Sequence, residues 1–133
     1  AEGVGVARGA MDMTVDYLKQ RKQFEKLIGE FQALQHRAAH LYSEVEIARA
    51  AVIKAAQLLD AGSVQADLMA SVAKAKVAKA AGLAVKEGVQ MHGGIGMTDE
   101  YDIGLYMKRD RALQEFLGDQ YYHANRVAEL SGY

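Results

Sequence analysis

Apolar residues recur at intervals of three and four along nearly the whole chain, the spacing that gathers them on one face of an α-helix. Val4, Ala7, Met11, Val15 and Leu18 predict a first helix from about Val4 to Phe24, with Gly29 punctuating its end. Phe31, Leu34, Ala38, Leu41, Val45, Ala48, Val52, Ala55 and Leu59 sustain a longer stripe that predicts a second helix over about Glu30 to Asp60. Ala61-Gly62-Ser63 closes it, glycine being favoured just beyond a helix end. Leu68, Val72, Ala75, Val77, Ala80, Leu83, Val85 and Val89 predict a third helix over about Val64 to Met91, whose many alanines imply closely approaching backbones. His92 to Thr98 is the one glycine-rich interruption. After it, Thr98 or Asp99 suits the cap of a fourth helix over about Glu100 to Leu117, and Gly118-Asp119 breaks the chain before a short last helix over about Gln120 to Leu130.

No Asn-Gly turn or alternating pattern competes for a strand. Short connections between long amphipathic helices make neighbours antiparallel, so the expected fold is all-α: an up-and-down four-helix bundle with a short additional C-terminal helix. Residues 1–133 form a single domain on the length prior, with no repeat, low-complexity tract or internal boundary.

Composition strengthens this reading. The chain has no proline, the residue least tolerated inside helices. With 16 basic and 17 acidic side chains its net charge is -1, so it lacks the whole-molecule field that draws nucleic acid or anionic membrane, and any anion site must be local. No apolar run reaches the length of a membrane span. The absence of cysteine excludes disulfides and thiolate chemistry and is compatible with a reducing compartment. The opening Ala1-Glu2-Gly3-Val4 has neither an initiator methionine nor a signal peptide's pattern, so a piece of a longer chain, or a processed one, is expected.

Three groups of residues could carry chemistry. Arg21, in the basic run Lys19-Gln20-Arg21-Lys22, has a guanidinium suited to phosphate oxygens, and Phe24 offers a ring to cover a flat base. The same charges would equally complement a helix C-terminal dipole. Gln90-Met91-His92-Gly93-Gly94-Ile95-Gly96 sets an amide donor beside glycines that allow close backbone approach, though a helix stop and tight turn would also use Gly-Gly. It lacks the spacing and the preceding strand of a Rossmann or Walker loop. Finally, His36, His40 and Glu44 share a helix face, but no glutamate has histidine three residues on, as a diiron bundle needs. Surface side chains are the reading there, with no metal. Met11, Met69, Met91, Met97 and Met107 suit core filling or the lining of an apolar channel.

Taken in order, Gly5-Val6-Ala7-Arg8 through Asp12, Tyr17-Leu18-Lys19-Gln20-Arg21-Lys22-Gln23-Phe24, Ile28-Gly29-Glu30-Phe31-Gln32-Ala33-Leu34-Gln35, Gln90 to Tyr101 and Arg109-Asp110 resemble the C-terminal helical domain of acyl-CoA dehydrogenases over nearly the whole chain. The resemblance implies that Arg21, Gln23 and Phe24 reach the FAD of a neighbouring subunit, that Phe31 and Gln32 lie near its adenosine end, and that Gln90 and the backbone of Met91, His92, Gly93 and Gly94 meet the pyrophosphate. It implies α,β-desaturation of an acyl-CoA thioester in a homo-oligomer, with electrons leaving to an electron-transferring flavoprotein. The setting implied is bacterial cytoplasm ahead of a mitochondrial matrix.

Two departures stand out. Many members of the family place a catalytic glutamate where this chain has Leu117, in Phe116-Leu117-Gly118-Asp119, and some relatives place the base upstream of Ala1 on the first helix. Leu117 cannot take a proton, and the acids Glu115 and Asp119 are out of register, reading as a solvated face and a helix cap. The catalytic residue is therefore unassigned. Glu25 also stands where a glycine usually follows Arg-x-Gln-Phe. The alternative function is a non-catalytic assembly subunit or degenerate relative that has lost the base.

Overall fold

A computed structural model describes residues 1–133. It contains α1 (Glu2–Leu18), α2 (Gln32–Asp60), α3 (Ala66–His92), α4 (Ile103–Glu115) and α5 (Gln120–Leu130). Between α1 and α2 lie two short strands, β1 (Lys22–Gln23) and β2 (Lys26–Leu27), paired antiparallel with Lys22 opposite Leu27. A 3-10 turn, Ile28–Glu30, leads into α2, and a second, Gly93–Met97, joins α3 to α4. The expected all-α bundle is the observed one. No helix is long and apolar enough to cross a membrane.

α3 is the central element and packs against all four other helices. Its composition allows this, because Ala73, Ala78, Ala80, Ala81, Gly82, Ala84 and Gly88 are buried small residues that neighbouring helices can approach closely. At Gly88 a Cβ would lie 2.6 Å from Ile103 Cδ1, so the missing side chain is the space that Ile103 fills. The larger core side chains come from the surrounding helices: Met11 and Leu18 of α1, Leu41 and Val45 of α2, Ile103 of α4. Each such burial contributes roughly 1.5–3 kcal/mol against the exposed side chain. Thr14 is buried in the same core and satisfied by donating to the Ala10 carbonyl at 2.7 Å. On the rim, Arg37–Glu87 at 2.6 Å and Lys76–Glu44 at 2.7 Å tie α2 to α3.

The structure corrects several expected boundaries. α1 stops at Leu18 rather than Phe24, because Lys19 to Gln23 offer no apolar side chain to hold another turn against the core. Instead the chain reverses, burying Ile28 and laying Gly29 so close to the end of α1 that a Cβ there would lie 2.8 Å from the Leu18 carbonyl oxygen. α2 starts at Gln32 rather than Glu30, since Ile28–Glu30 is a 3-10 turn and Phe31 is extended. α3 starts at Ala66, leaving Val64 fully in solvent. α4 starts at Ile103, not Glu100. Thr98 Oγ1 is engaged with Ile95 O and Glu100 N in the preceding turn, so Thr98 caps that turn rather than the helix. It ends at Glu115, because Leu117 adopts φ +61°, outside helical backbone.

Candidate functional site

The two segments singled out from sequence meet at one end of the bundle. Tyr17, in the last turn of α1, stacks on His92, in the last turn of α3, with ring centroids 4.4 Å apart, and Tyr101 closes over both at 5.5 and 5.2 Å. This aromatic cluster fixes the chain after α1 beside the glycine loop after α3.

Arg21 lies in the connection after α1, exposed, with its backbone carbonyl accepting from Ile28 N at 2.9 Å. That bond extends the β1–β2 ladder and closes the hairpin. Phe24 and Glu25 form its two-residue turn, with φ +53° and +66°. Both positions are left-handed, the conformation that favours glycine or asparagine. The turn lifts Phe24 into solvent, 84% exposed, where it meets Phe31 edge-on at 6.2 Å. Lys26 Nζ sits 4.2 Å over the Phe31 ring. Gln23, in β1, and Gln32, the first residue of α2, are exposed nearby. The hairpin therefore offers Arg21, Gln23 and Phe24 as side chains, none committed to the core.

The loop after α3 offers backbone instead. Met91 and His92 are 4% and 3% exposed, so their side chains point into the protein. His92 Nδ1 donates to the Gly88 carbonyl at 2.7 Å, which leaves Nε2 buried without a partner. Gly93, at φ +66°, turns the chain out of the helix, and Cβ atoms at Gly93 or Gly94 would meet nothing within 4 Å. Gln90 is exposed beside them. Another molecule can thus approach the Gly93-Gly94 backbone freely, with the Gln90 amide alongside.

The opposite side of the bundle holds a cavity of about 540 Å³. The start of α1, the C-terminal half of α2, α3, the end of α4 and His123 of α5 line it, mostly with apolar side chains, alanine the commonest. Leu117 sits at this cavity, 75% exposed, its carbonyl accepting from His123 Nε2 at 2.9 Å. Ala1, Glu2 and Gly3 line it too. Of its acids, Glu2 is paired with Arg109. Asp110 is 4% exposed and accepts from Gln114 Nε2 at 2.6 Å. Burial pushes the Asp110 carboxyl above its ordinary range, opposed by the Gln114 hydrogen bond and by Lys86, Lys74 and Arg111. Burial lowers Lys74, whose Nζ donates to the Leu113 carbonyl at 2.6 Å. The two acids flanking Leu117 are engaged: Glu115 pairs with Arg111 at 3.1 Å, and Asp119 caps α5 by accepting from Tyr122 N at 2.8 Å. No methionine lines the cavity: of the two roles open to the methionines, Met11 and Met91 take core filling, while Met97 is 80% exposed. Of the face that carries His36, His40 and Glu44, Glu44 is tied to Lys76.

The sequence profile described as "Acyl-CoA dehydrogenase, C-terminal domain" matches residues 1–131. The chain belongs to the acyl-CoA dehydrogenase family. Among its relatives, the acyl-CoA dehydrogenase IpdE2 of Mycolicibacterium smegmatis is 42% identical over 118 residues, 89% of this chain and 36% of that protein. Butyryl-CoA dehydrogenase from Megasphaera elsdenii superposes with a TM-score of 0.92 at 29% identity, over 97% of this chain and 33% of that one. The ChsE4-ChsE5 complex from Mycobacterium tuberculosis gives 0.91 at 27% identity, over 98% and 36%. The chain spans about a third of the length of these relatives.

Against the acyl-CoA dehydrogenase pattern, the sequence alone did not reveal three features. The hairpin went unseen because Phe24-Glu25 is a poor turn sequence, although the glycine that usually stands at the second position was a signal that the backbone there is left-handed. The inward turn of His92 is a packing outcome without local sequence signature. The cavity, and Asp110 within it, depends on how five helices come together; an aspartate among α4's inward positions was the only trace of it.

Proposed function

We propose that this chain is the C-terminal helical domain of an FAD-dependent acyl-CoA dehydrogenase that removes hydrogens from the carbons α and β to an acyl-CoA thioester. Residues 1–133 would form that one domain of a longer protein. The observation that carries the reading is the Tyr17–His92 stack, which holds the exposed Arg21-Gln23-Phe24 hairpin and the open Gln90–Gly94 backbone at one end of the bundle.

Those residues fit an adenine dinucleotide. Arg21 is free to take a phosphate oxygen, Phe24 with Phe31 supplies a flat apolar cover beside the Gln32 amide, and the open Gly93-Gly94 backbone at the end of Met91-His92 admits pyrophosphate next to the Gln90 amide. Flavin held there would supply the hydride acceptor. Because the hairpin projects away from its own core, its side chains suit a cofactor held by a neighbouring subunit of a homo-oligomer. Onward transfer to an electron-transferring flavoprotein belongs to the same reading.

The test is flavin affinity in the full-length protein. Arg21→Ala should weaken FAD binding by about 1.5–3 kcal/mol, the range for a charge-assisted hydrogen bond, seen as at least tenfold faster flavin loss. Unchanged affinity would overturn the assignment.

A second reading is favoured by Leu117, which leaves no carboxylate at the family's usual position. In it the chain serves as an assembly subunit whose partner supplies the base, an arrangement in keeping with the two-component ChsE4-ChsE5 relative. Visible flavin bleaching on adding acyl-CoA to this protein alone excludes it; bleaching only after a second subunit is added supports it.

A further inference from the structure

We propose that His92 is a positioning residue of the dinucleotide site, whose inward-turned imidazole holds the Gly93-Gly94 backbone in place through its hydrogen bond to the Gly88 carbonyl. The inference rests on reading the glycine loop as a pyrophosphate contact and names a side chain, pointing away from that ligand, that serves it.

His92 is the last residue of α3, where helical carbonyls run out of partners and the final turn frays most readily. Gly93 leaves the helix at φ +66°, so the path of Gly93-Gly94 starts from wherever His92 is held. Three contacts hold it. The ring stacks on Tyr17 with centroids 4.4 Å apart and 27° between planes, and Tyr101 packs against it at 5.2 Å. Nδ1 lies 2.7 Å from the Gly88 carbonyl, one turn back along α3. A carbonyl oxygen only accepts, so Nδ1 carries the proton, and the bond ties the end of α3 to its own preceding turn. The loop also packs back on this residue, since a Cβ at Gly96 would lie 2.9 Å from His92 Cβ.

The other ring nitrogen shows that this bond serves more than packing. His92 is 3% exposed, and its Nε2 is enclosed without a hydrogen-bond partner. Buried Thr14, by contrast, has its hydroxyl satisfied by Ala10. An unmet polar atom inside the protein is unfavourable, and phenylalanine would stack on the same two tyrosines without one. Phenylalanine cannot supply the Nδ1–H bond. The unmet Nε2 accompanies that bond, and the bond acts where the glycine loop begins. The enclosure is built by this chain alone, so whatever packs outside it leaves Nε2 sealed. Without the bond the Gly93-Gly94 backbone is less ordered, and a ligand that binds there has to order it.

The full-length protein tests this in two ways. In the flavin-loaded wild type, long-range proton–nitrogen NMR should find the His92 ring protonated at Nδ1 alone; a proton on Nε2 overturns the proposal. His92→Phe should unfold in denaturant at or above the wild-type midpoint, yet release flavin at least tenfold faster. An equal rate of release at that stability overturns the proposal. Should phenylalanine fit poorly and lower stability, His92→Asn and His92→Gln decide, because asparagine sets its amide nitrogen where histidine has Nδ1 and glutamine sets its own where histidine has Nε2. Both lose the stack, so the asparagine variant should hold flavin at least fivefold longer; equal lifetimes overturn the proposal. A wild-type protein that holds no flavin defeats the dinucleotide reading and this role with it, whereas flavin held equally well with and without the Nδ1–H bond defeats the role alone.

Discussion

The hairpin after α1 and the glycine loop after α3 lie side by side, yet they are built in opposite ways. In the hairpin the side chains face outward, Phe24 being 84% exposed, and the backbone is spent on its own ladder through Ile28 N to Arg21 O. In the loop the side chains of Met91 and His92 are buried at 4% and 3%, and the backbone of Gly93-Gly94 faces open space. One segment therefore offers side-chain chemistry and the other main-chain access. A substitution in the first should alter recognition with little change in stability. In the second, recognition and folding are coupled, because the loop stands on the core.

The largest expected effect tests that coupling. Ile103 is fully buried and fills the space left by Gly88, one turn before His92. Ile103→Ala should destabilise the fold by about 2–5 kcal/mol, measured by denaturant unfolding. It should also weaken flavin binding with no change in any exposed residue. Phe24→Ala, at an exposed position, should stay within about 0.5 kcal/mol in the same measurement. If the two variants proved equally destabilising, the contrast between a freestanding hairpin and a core-anchored loop would be wrong.

A smaller effect, of opposite sign, is expected in the hairpin. Glu25 holds φ +66° without being glycine, and the left-handed conformation costs an ordinary residue about 1 kcal/mol or more. Glu25→Gly should relieve this and raise stability by up to about 1 kcal/mol, less the extra entropy glycine loses on folding. The same reasoning predicts loss for Gly93→Ala, since Gly93 holds φ +66° and alanine there takes on the strain that glycine avoids. Thermal unfolding of the two variants should therefore move in opposite directions. A shift in one common direction would mean that φ does not govern these two turns.

These positions also show how much could be read from the chain alone. The helices and their order were legible because their stripes are long: Leu41, Val45 and Ala48 are buried as the spacing of α2 requires. The ends were less legible. At Leu18 and Ile103 the deciding fact is what packs from elsewhere, Gly29 against one and Gly88 against the other, and local periodicity carries no trace of either contact. The site divides in the same way. Arg21 and the Gly93-Gly94 pair are recognisable by residue type. That Met91 and His92 turn inward, and that Asp110 lies at an apolar cavity, follows from assembly of the bundle.

The smallest effect separates the two segments by pH. Glu44 accepts from Lys76, and that hydrogen bond and charge hold its carboxyl below the ordinary range. A lowered carboxyl contributes stability above its unfolded pKa and loses it as pH falls through the folded one. Asp110 is raised, so its sign is reversed: the folded state is favoured while it is protonated, and that advantage is lost as pH rises through the folded value. Glu44→Gln should therefore cost ~0.2–1 kcal/mol at neutral pH and nothing once the carboxyl is protonated. Asp110→Asn should stabilise at neutral pH, and its advantage should vanish in acid. Both residues sit on the frame around α3, which supports the glycine loop, and neither touches the hairpin. Core amides of α3 should accordingly follow both variants in hydrogen exchange as pH changes, while the Ile28 amide that closes the hairpin should follow neither. If the Ile28 amide moved together with the core, the hairpin would be part of the same cooperative unit, and the division between the two segments would lie only in which atoms they present.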